Sequence, residues 1–496
     1  MNAVNFLLLL FTILGAFQHT QAQHKQVHKT NPMPVYMHYM PWFDTPETSG
    51  NGQWGWHWTM NNKNPNTIID PATAKREIAS HFYPLVGPYA SNDPDILEYH
   101  LLLMKFSGID GILIDWYGEQ GSNGDVGNLL RNSNAIIEHT ETVGLQFAIV
   151  LEDRFASSLN DAKVNVEYLE KNYFNRPAYI RLGANNDPLL TVFGPITFQQ
   201  PEQWTEILAA ANEDIEFLPL WNEAPDAGQN ADGEYAWIWE DEASDNYYTN
   251  LENYYHTHAP QLKTVMGVAY PGFIDFYKEG NAGDGYFKIP HDQGATLDKT
   301  LNLAKQYKDD IDILQLATWN DFGEGTMIEP TYETGFEYLK HIQQFTGVSY
   351  GSSELLLIYR LYQLRKAYKQ DPAKVDLLNQ AAAYLADLNV TEARTLLDTV
   401  EPVTQAEKDQ PGETTFYVYP NPVKQKTINV KVNRKLTNAN VKLSVRDLSG
   451  RIIYEQEIPE TRSEIAISTE KFEKGVYVIN LHFIDKVVAT RFIVLD

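Results

Sequence analysis

The sequence predicts an α/β protein with a (β/α)8 TIM barrel, a helical segment after it, and a small C-terminal β-sandwich. Eight short apolar segments recur between residues 35 and 318, and the stretches between them are long enough for helices. Residues 352 to 400 instead carry apolar side chains at helical spacing, as in ELLLIYRLYQLRKAYK. Beyond residue 416 the chain alternates apolar and polar residues between turn signals such as Asn-Pro and Ser-Gly, which is typical of a β-sandwich.

The eight apolar segments are the predicted strands of the barrel. Several are continuous rather than alternating, as expected of parallel strands that are buried on both faces. A barrel places its active site where its strands end. A doubly wound open sheet is the alternative, because periodicity alone does not separate the two folds. The segments are VYMHYM (35–40), GILID (111–115), QFAIVL (146–151), LLTVF (189–193), IEFLPL (215–220), EYAWIW (234–239), TVMGVA (264–269) and ILQLAT (313–318).

Tryptophans and carboxylates collect where these segments end. Eight of the ten tryptophans lie at or beyond a predicted strand end or in the first long loop, namely Trp42, Trp54, Trp56, Trp58, Trp116, Trp221, Trp239 and Trp319. The carboxylates at the same ends are Asp115, Glu152, Asp153, Glu223, Glu240, Asp321 and Glu324. Indole faces suit the apolar C–H faces of a sugar, and carboxylates suit its hydroxyls. We therefore predict a wall of tryptophans beside carboxylates at one mouth of the barrel.

The last predicted strand leads into TWNDFGEGTMIEP (318–330), which places Asp321 and Glu324 three residues apart among glycines. Gly323 and Gly325 disfavour a continued helix or strand, so these carboxylates are predicted on a loop. Glycoside cleavage needs one carboxyl to protonate the leaving oxygen and a second carboxylate to assist. We assign Glu324 as the acid, because an aromatic pocket and an acidic neighbour would raise its pKa. Asp321 is then the assisting carboxylate.

Composition excludes several classes of function. Sixty-five acidic against 39 basic residues give a net charge of −26, which repels phosphate backbones, so we expect no nucleic-acid partner. The absence of cysteine excludes disulfides, zinc–thiolate sites and a cysteine nucleophile. The sequence contains no HExxH, EF-hand or phosphate-loop motif, and we expect neither a metal nor a cofactor.

The N-terminus predicts export. Residues 1–22 contain a short apolar run from Phe6 to Phe17, followed by small and polar residues that end in Thr-Gln-Ala. This pattern is typical of a signal peptide, although the usual preceding Lys or Arg is missing. No other segment is long and apolar enough to predict a transmembrane span. The remaining predicted parts are the barrel at 30–348, the helical appendage at 349–400, a polar linker at 401–415 and the sandwich at 416–496.

The C-terminal part resembles the type A sorting domain of the type IX secretion system of Bacteroidetes. The matching features are Tyr419-Pro420-Asn421-Pro422, Asp447-Leu448-Ser449-Gly450-Arg451, Gly475-Val476-Tyr477 and Arg491-Phe492-Ile493-Val494-Leu495. This resemblance implies recognition by the type IX machinery and secretion or attachment at the cell surface. An ordinary carbohydrate-binding sandwich is the alternative, although no tryptophan follows Trp319.

The barrel resembles glycoside hydrolases of families 99 and 71 over roughly residues 33–345. HYMPWFDTPETSGNGQWGWHW (38–58), GIDGILIDWY (108–117), AYPGFID (269–275) and TWNDFGEGTMIEP are similar to family 99 motifs. Position 321 departs from that pattern, because Asp stands where family 99 has Glu, and Trp-Asn-Asp-x-Gly-Glu is more similar to the family 71 α-1,3-glucanases. The family 99 resemblance implies that Asp321 acts on the substrate 2-hydroxyl, through a 1,2-anhydro sugar, with net retention.

These observations together predict a secreted or surface hydrolase of an α-linked polysaccharide or oligosaccharide, endo-acting and α-mannanase-like. The alternatives are an α-1,3-glucanase-like hydrolase and a surface protein that binds glycan without cutting it. The resemblance implies that Glu152 and Tyr270 contact the sugar, with an ion pair to Arg154 as the alternative for Glu152. Glu223 is a reserve acid, because Trp221-Asn222-Glu223 repeats the order of Trp319-Asn320-Asp321. The full predicted substrate-binding set is Tyr39, Trp42, His57, Trp58, Trp116, Glu152, Glu223, Tyr270, Trp319 and Asn320.

Overall fold

The computed structural model describes residues 25–71, 74–241 and 245–401, and then the C-terminal stretches 416–419, 423, 426–432, 441–447, 452–459, 464–472, 475–482 and 487–494. The chain divides into two compact units, the first ending at Val400 and the second beginning at Glu401. The predicted signal peptide, nearly all of the predicted linker, and the sorting-domain motifs at 420–422 and 448–451 lie outside the described residues.

The first unit contains an eight-stranded parallel barrel, as predicted. Strand β1 pairs with both β2 and β8, and pairing continues from β2 through β3 and β4 to β5, and from β8 through β7 to β6. A parallel bridge between Leu220 and Tyr235 joins the loop after β5 to β6 and closes the ring. The strands are β1 Val35–Tyr39, β2 Gly111–Trp116, β3 Gln146–Leu151, β4 Asp187–Val192, β5 Glu216–Pro219, β6 Gly233–Tyr235, β7 Thr264–Ala269 and β8 Ile313–Leu316.

Two strands begin at glycines because the neighbouring backbone leaves no room for a side chain. A Cβ at Gly111 would lie 2.2 Å from the Gln146 carbonyl oxygen, and a Cβ at Gly233 would lie 1.7 Å from that of Thr264. Both distances are far below van der Waals contact, so a side chain at either position would push the paired strands apart.

Helices follow the strands and cover the outside of the barrel. Helix α1 starts where Asp93 caps it and Pro94 occupies its first turn, and α2 ends at Gly144 in a left-handed conformation. Five-residue π segments, Glu170–Phe174 and Tyr254–His258, extend α3 and α5. The helices are α1 Pro94–Phe106, α2 Val126–Val143, α3 Leu159–Leu169, α4 Pro201–Leu208, α5 Tyr247–Asn253, α6 Ala295–Gln306 and α7 Glu337–Thr346.

The predicted helical appendage consists of α8 Ser352–Tyr368, α9 Pro372–Ala386 and α10 Val390–Val400. It packs against α1 of the barrel. Arg365 on α8 forms a two-point ion pair with Glu98 on α1, at 2.6 and 2.7 Å. The buried Lys105 ammonium donates to the carbonyl of Ala386 at the end of α9. The appendage therefore belongs to the barrel unit. None of the described helices combines the length and apolarity that a membrane crossing requires.

The second unit contains two antiparallel sheets that share one apolar core. Strands β9, β10 and β13 form one sheet, and the order β12–β11–β14–β15 forms the other. Val430 and Ile467 of the first sheet and Leu443, Ile479 and Leu481 of the second belong to the same buried cluster, so the sheets form the predicted sandwich. The strands are β9 Phe416–Tyr419, β10 Thr427–Val432, β11 Val441–Asp447, β12 Ile452–Ile458, β13 Glu464–Ser468, β14 Gly475–His482 and β15 Val487–Val494.

Candidate active site

The two predicted catalytic carboxylates lie on a loop directly after β8, which we call the carboxylate loop (residues 318–330). The Asp321 amide donates to the Thr318 hydroxyl oxygen at 2.9 Å, and the Glu324 amide donates to Asp321 Oδ1 at 2.9 Å. Gly325 has a φ of +68°, and a Cβ there would lie 2.4 Å from the carbonyl oxygen of Ile274. The glycine therefore lets this loop turn tightly against the loop that follows β7.

The loop after β7 holds Glu324 from the other side. The amides of Ile274 and Phe276 donate to the carbonyls of Glu324 and Gly323, at 2.9 and 2.8 Å. The Tyr277 hydroxyl donates to Glu324 Oε1 at 3.0 Å. Sequence reasoning missed Tyr277, and the only signal available was its position two residues beyond AYPGFID.

Burial controls the electrostatics of the carboxylate pair. It raises the pKa of Asp321 to about 7, although the amides of Glu324 and Gly323 favour the charged form. Burial and the charge of Asp321 together raise the pKa of Glu324 to about 8. The proton that the pair retains near neutral pH therefore resides on Glu324.

A second carboxyl pair, Asp115 and Glu152, lies at the ends of β2 and β3. Arg154 donates from Nε and Nη2 to the two oxygens of Glu152, at 2.6 and 2.9 Å. Burial and the neighbouring charge of Glu152 raise the pKa of Asp115 well above its usual range. The charge of Asp321 also raises the pKa of Asp115, and that of Arg154 lowers the pKa of Glu324. The two carboxyl pairs therefore act on one another across the same barrel mouth.

The ion pair between Glu152 and Arg154 is the alternative that the sequence left open for Glu152. The ion pair leaves part of Arg154 accessible to a ligand, because 43% of the Arg154 side chain is exposed. The guanidinium lies over the rings of Phe155 and Phe193, at 5.3 and 5.8 Å from their centroids. An exposed cation held over aromatic rings at this mouth remains able to meet a hydroxyl-bearing ligand.

Six of the ten predicted substrate-binding residues are buried, with 0 to 1% of each exposed, namely Tyr39, Trp58, Trp116, Tyr270, Trp319 and Asn320. They present almost no surface to a ligand in this structure, and their contact with substrate stays a prediction. Trp58 packs between the rings of Phe43 and Phe322 and donates to the Tyr89 carbonyl at 2.8 Å. Trp58, Trp116 and Trp319 therefore lie in the core and not in the predicted wall of tryptophans.

The buried polar members of this set position the carboxylate loop. Asn320 accepts from the Met40 amide at 2.9 Å and donates to the Met40 carbonyl at 3.0 Å. It also donates to the Tyr89 hydroxyl, which in turn donates to Glu329 at 2.6 Å. The Tyr39 hydroxyl hydrogen-bonds His100 at 3.1 Å. These contacts tie the loop after β8 to the end of β1.

Trp42 and His57 remain partly exposed and lie together. Their rings stack with centroids 3.9 Å apart and planes within 4°. Trp42 packs beside Tyr117 and Phe155, which belong to the loops after β2 and β3. Burial lowers the pKa of His57 to about 3, so the imidazole is neutral. The indole nitrogen of Trp42 has no hydrogen-bond partner among the described residues, which leaves one donor at this mouth free.

Glu223 lies away from the carboxylate loop. It follows β5 and lines a separate cleft of about 530 Å³, the distal cleft, together with Trp221, Trp239, Tyr254 and His258. Burial, followed by the charges of Asp226 and Glu234, raises the pKa of Glu223. The structure therefore places the reserve acid beside two tryptophans and not beside Glu324.

Asp153 and two arginines further along the chain have structural partners. Asp153 accepts the amides of residues 196–198 and fixes the loop after β4. Arg176 forms a two-point ion pair with Glu141, and Arg181 contacts Glu213 at 2.9 Å. Within the described residues, no group of three or more His, Asp or Glu side chains is arranged to hold a metal ion.

Comparisons with known proteins agree with this architecture. The Glycosyl hydrolase family 99 profile matches residues 32–350, and the Secretion system C-terminal sorting domain matches residues 417–495. The structure of the GH99 endo-alpha-mannosidase from Bacteroides thetaiotaomicron superimposes with a TM-score of 0.51 at 21% identity, covering 63% of this chain and 96% of that one. At this identity the superposition supports the shared fold alone.

Curated relatives cover less of the chain. Glycoprotein endo-alpha-1,2-mannosidase of Rattus norvegicus is 25% identical over 206 residues, which are 38% of this chain and 42% of the relative. Glycoprotein endo-alpha-1,2-mannosidase-like protein of Danio rerio is 22% identical over 183 residues, 35% of this chain and 41% of the relative. The matched stretch spans less than half the length of these relatives.

The family profile, by contrast, covers well over half of the chain and contains all eight barrel strands and the carboxylate loop. Both resemblances read from the sequence, to family 99 and to the sorting domain, are confirmed. The chain belongs to glycosyl hydrolase family 99 and carries a secretion-system C-terminal sorting domain.

Proposed function

We propose that the protein is an exported glycoside hydrolase that cleaves an α-linked polysaccharide internally, with an α-mannan as substrate and net retention at the anomeric carbon. One observation carries the proposal. Asp321 and Glu324 lie on one loop at the end of the last barrel strand, and Tyr277 donates to Glu324. The mannosidase names of the curated relatives favour mannan over other α-linked glycans.

Glu324 is the proposed acid. Its raised pKa, to about 8, keeps its proton near neutral pH, and its partial exposure lets that proton reach a ligand. Proton transfer to the glycosidic oxygen allows the leaving sugar to depart as an alcohol. The Tyr277 hydroxyl then stabilises the carboxylate that forms, because it donates to Glu324 Oε1.

Asp321 is the proposed base. Its carboxylate takes the proton of the substrate 2-hydroxyl, and the freed oxygen attacks the anomeric carbon to form a 1,2-anhydro sugar as the glycosidic bond breaks. Water then opens this ring at the anomeric carbon, giving one proton to Glu324, while Asp321 returns its proton to the 2-oxygen. Two inversions give net retention. The amides of Glu324 and Gly323 hold the Asp321 carboxylate in place for this step.

The aspartate favours one further candidate function. Asp is shorter than Glu by one methylene, and the amide of Glu324 already occupies Asp321 Oδ1. A carboxylate that is short and already hydrogen-bonded would favour a surface protein that binds glycan without cutting it. The Trp-Asn-Asp order also keeps an α-1,3-glucanase as the alternative hydrolase.

We propose secretion or cell-surface attachment through the type IX machinery, and removal of residues 1–22 during export. The match of residues 417–495 to a secretion sorting domain supports the proposed secretion or surface attachment. The signal peptide rests on the sequence alone. Detection of the chain in the medium or on the cell surface of a type IX-competent host, and its loss from both after deletion of residues 416–496, would test the sorting role.

The function is tested by incubating the full chain with a panel of α-mannans and α-glucans and separating the products by size. Glu324→Gln is expected to lower kcat by about 10²- to 10⁴-fold, the range that general acid–base groups contribute. Glu206→Gln is the matched control, because Glu206 is on α4 with 60% of its side chain exposed. Release of oligosaccharides by the parent and the control supports the hydrolase, and the polymer that is cut identifies the glycan. Binding without release by all three proteins would establish the glycan-binding alternative.

A further inference from the structure

The distal cleft is built from residues that the proposed reaction does not use. Six of its lining residues, Trp221, Glu223, Trp239, Asn253, Tyr254 and His258, come from the loops after β5 and β6 and from the helix before β7. Trp239 is 55% exposed, which is unusual for a tryptophan. The Trp221 ring meets that of Tyr254 edge-on at 5.3 Å. Such surfaces pair apolar faces with hydrogen-bonding edges.

The polar groups of the lining residues indicate which ligand chemistry fits the cleft. The Tyr254 hydroxyl is buried and has no hydrogen-bond partner among the described residues. Buried polar groups are nearly always paired, so an unpaired hydroxyl in a cleft wall suggests that a ligand or water satisfies it. Among the residues that the structure describes, neither lysine nor arginine lines the cleft, and the lining residue Glu223 is acidic. The ligand chemistry that fits is neutral and polyhydroxylated, with an apolar face.

Hydrogen bonds to one buried carboxylate hold two elements of the cleft wall together. Glu234, fully buried on β6, accepts the amides of Asn222 and Ala224 at 2.9 and 3.0 Å. The same carboxylate pairs with His258 Nε2 at 2.7 Å. One buried group therefore joins the loop that carries Trp221 to the helix that carries Tyr254 and His258. Such a preformed surface loses little entropy when it binds a ligand.

An aromatic path leads from this cleft to the carboxylate loop. Trp239 lies 6.1 Å from Phe287, which packs on Phe273 at 4.6 Å. Tyr286, 67% exposed, lies next to Phe273 and 5.7 Å from Tyr277. Tyr277 donates to Glu324. These ring contacts connect Trp239 to Tyr277 beside Glu324; Trp239 and Tyr286 are exposed, Phe287 and Tyr277 are half-buried, and Phe273 is buried beneath them.

From this arrangement we propose that the distal cleft is a glycan-binding subsite. It binds units of the substrate chain that lie several sugars away from the bond that is cut, and Trp239 and Trp221 are the rings on which these sugars stack. The inference rests on the proposed function, since it assumes that the glycan cut at Glu324 extends along the aromatic path. It predicts a preference for long, uncharged chains, because short substrates do not reach the cleft and Glu223 repels anionic ones.

The test compares Trp239→Ala with Tyr384→Ala in the full chain, using an α-mannan and an α-mannobioside as substrates. Tyr384 is a matched exposed aromatic, 38% exposed on α9. Trp239→Ala is expected to raise KM for the polymer roughly five- to tenfold, the scale of one aromatic stacking contact. KM for the disaccharide and kcat for both substrates should stay within about twofold. Equal KM changes on both substrates, or none, would overturn the subsite.

A binding measurement separates this inference from the proposed function. In the Glu324→Gln background, calorimetric titration with α-mannan is expected to show a Kd that Trp239→Ala weakens and Tyr384→Ala does not. Binding that Trp239→Ala leaves unchanged refutes the subsite and leaves the proposed function intact. Failure of the parent chain to bind or cut any polymer of the panel refutes both. Asn253→Ala provides a second variant if thermal unfolding shows that Trp239→Ala is destabilised.

Discussion

The motif Trp-Asn-acid occurs twice in this chain, and the structure gives its two copies opposite environments. After β8, Trp319 and Asn320 are fully buried and Asp321 is 4% exposed. After β5, Trp221 and Glu223 are half-buried and Asn222 is exposed, and all three line the distal cleft. The shared order Trp-Asn-acid therefore does not determine a role. Burial and hydrogen bonding make one copy a candidate catalytic loop and the other a candidate binding surface.

The largest difference between the two copies should appear in turnover. Glu324→Gln is expected to lower kcat by about 10²- to 10⁴-fold, because it removes the proton donor. Glu223→Gln should instead raise KM for long glycans by a few-fold, as expected for a contact outside the reacting atoms. Initial rates on polymer and disaccharide measure both effects. A comparable loss of kcat in the two variants would show that the reserve acid takes part in catalysis.

The next difference concerns stability. Asn320→Ala would leave the buried amide and carbonyl of Met40 without partners and is expected to cost about 2–4 kcal/mol. Asn222 is exposed with a φ of +65°, so Asn222→Gly should change the unfolding free energy by only about 0.5 kcal/mol. Denaturant unfolding of the two variants measures this. Equal destabilisation would mean that the hydrogen bonds of Asn320 do not stabilise the loop.

A smaller effect should come from the second element that supports Glu324. Tyr277→Phe removes a hydrogen bond that lowers the pKa of Glu324, so the acid should hold its proton to higher pH. The alkaline limb of kcat/KM should move to higher pH, and kcat near neutral pH should fall by about tenfold or less. Tyr384→Phe is the control. A limb that stays in place or moves to lower pH would show that Tyr277 does not stabilise the Glu324 carboxylate.

The smallest expected effect is on thermal stability as a function of pH. The folded-state pKa of Glu324 is raised to about 8, above its unfolded value, so folding favours the protonated form. The resulting contribution to the free energy of unfolding is fully present below the unfolded-state pKa, near 4.5, and is lost as pH rises through about 8. Glu324→Gln should therefore raise Tm relative to the parent at pH 9 by a few degrees more than at pH 4. An equal Tm difference at both values would contradict the raised pKa.

The barrel could be predicted from the sequence because each of its strands is marked by a short run of neighbouring residues. Continuous apolar segments, such as QFAIVL, become strands buried on both faces, and the observed β3 begins and ends where predicted. The position of Asp321 and Glu324 on a strand-end loop was also predictable, because Gly323 and Gly325 mark the turn. The sixth strand was predicted to reach residue 239 but ends at Tyr235, and Trp239 is exposed.

The site was less predictable, since it depends on contacts between distant loops. A tryptophan at a strand end packs inward or outward according to the neighbouring loops, and Trp58 is buried because Phe43 and Phe322 enclose it. Tyr277 reaches Glu324 only because the loops after β7 and β8 hydrogen-bond each other. The ion pair of Glu152 with Arg154, two residues apart, was by contrast visible as an alternative in the sequence.

Asp321 and Glu324 are proposed to cut an α-linked glycan with net retention. Proton NMR of the reducing-end sugar, recorded from the first seconds after the full chain meets an α-mannan, tests this most directly. The proposed route predicts that the α-anomer appears first and then equilibrates with the β-anomer. Initial release of the β-anomer would show that Asp321 activates water instead. Binding with no reducing sugar released would make the carboxylate loop a glycan-binding site.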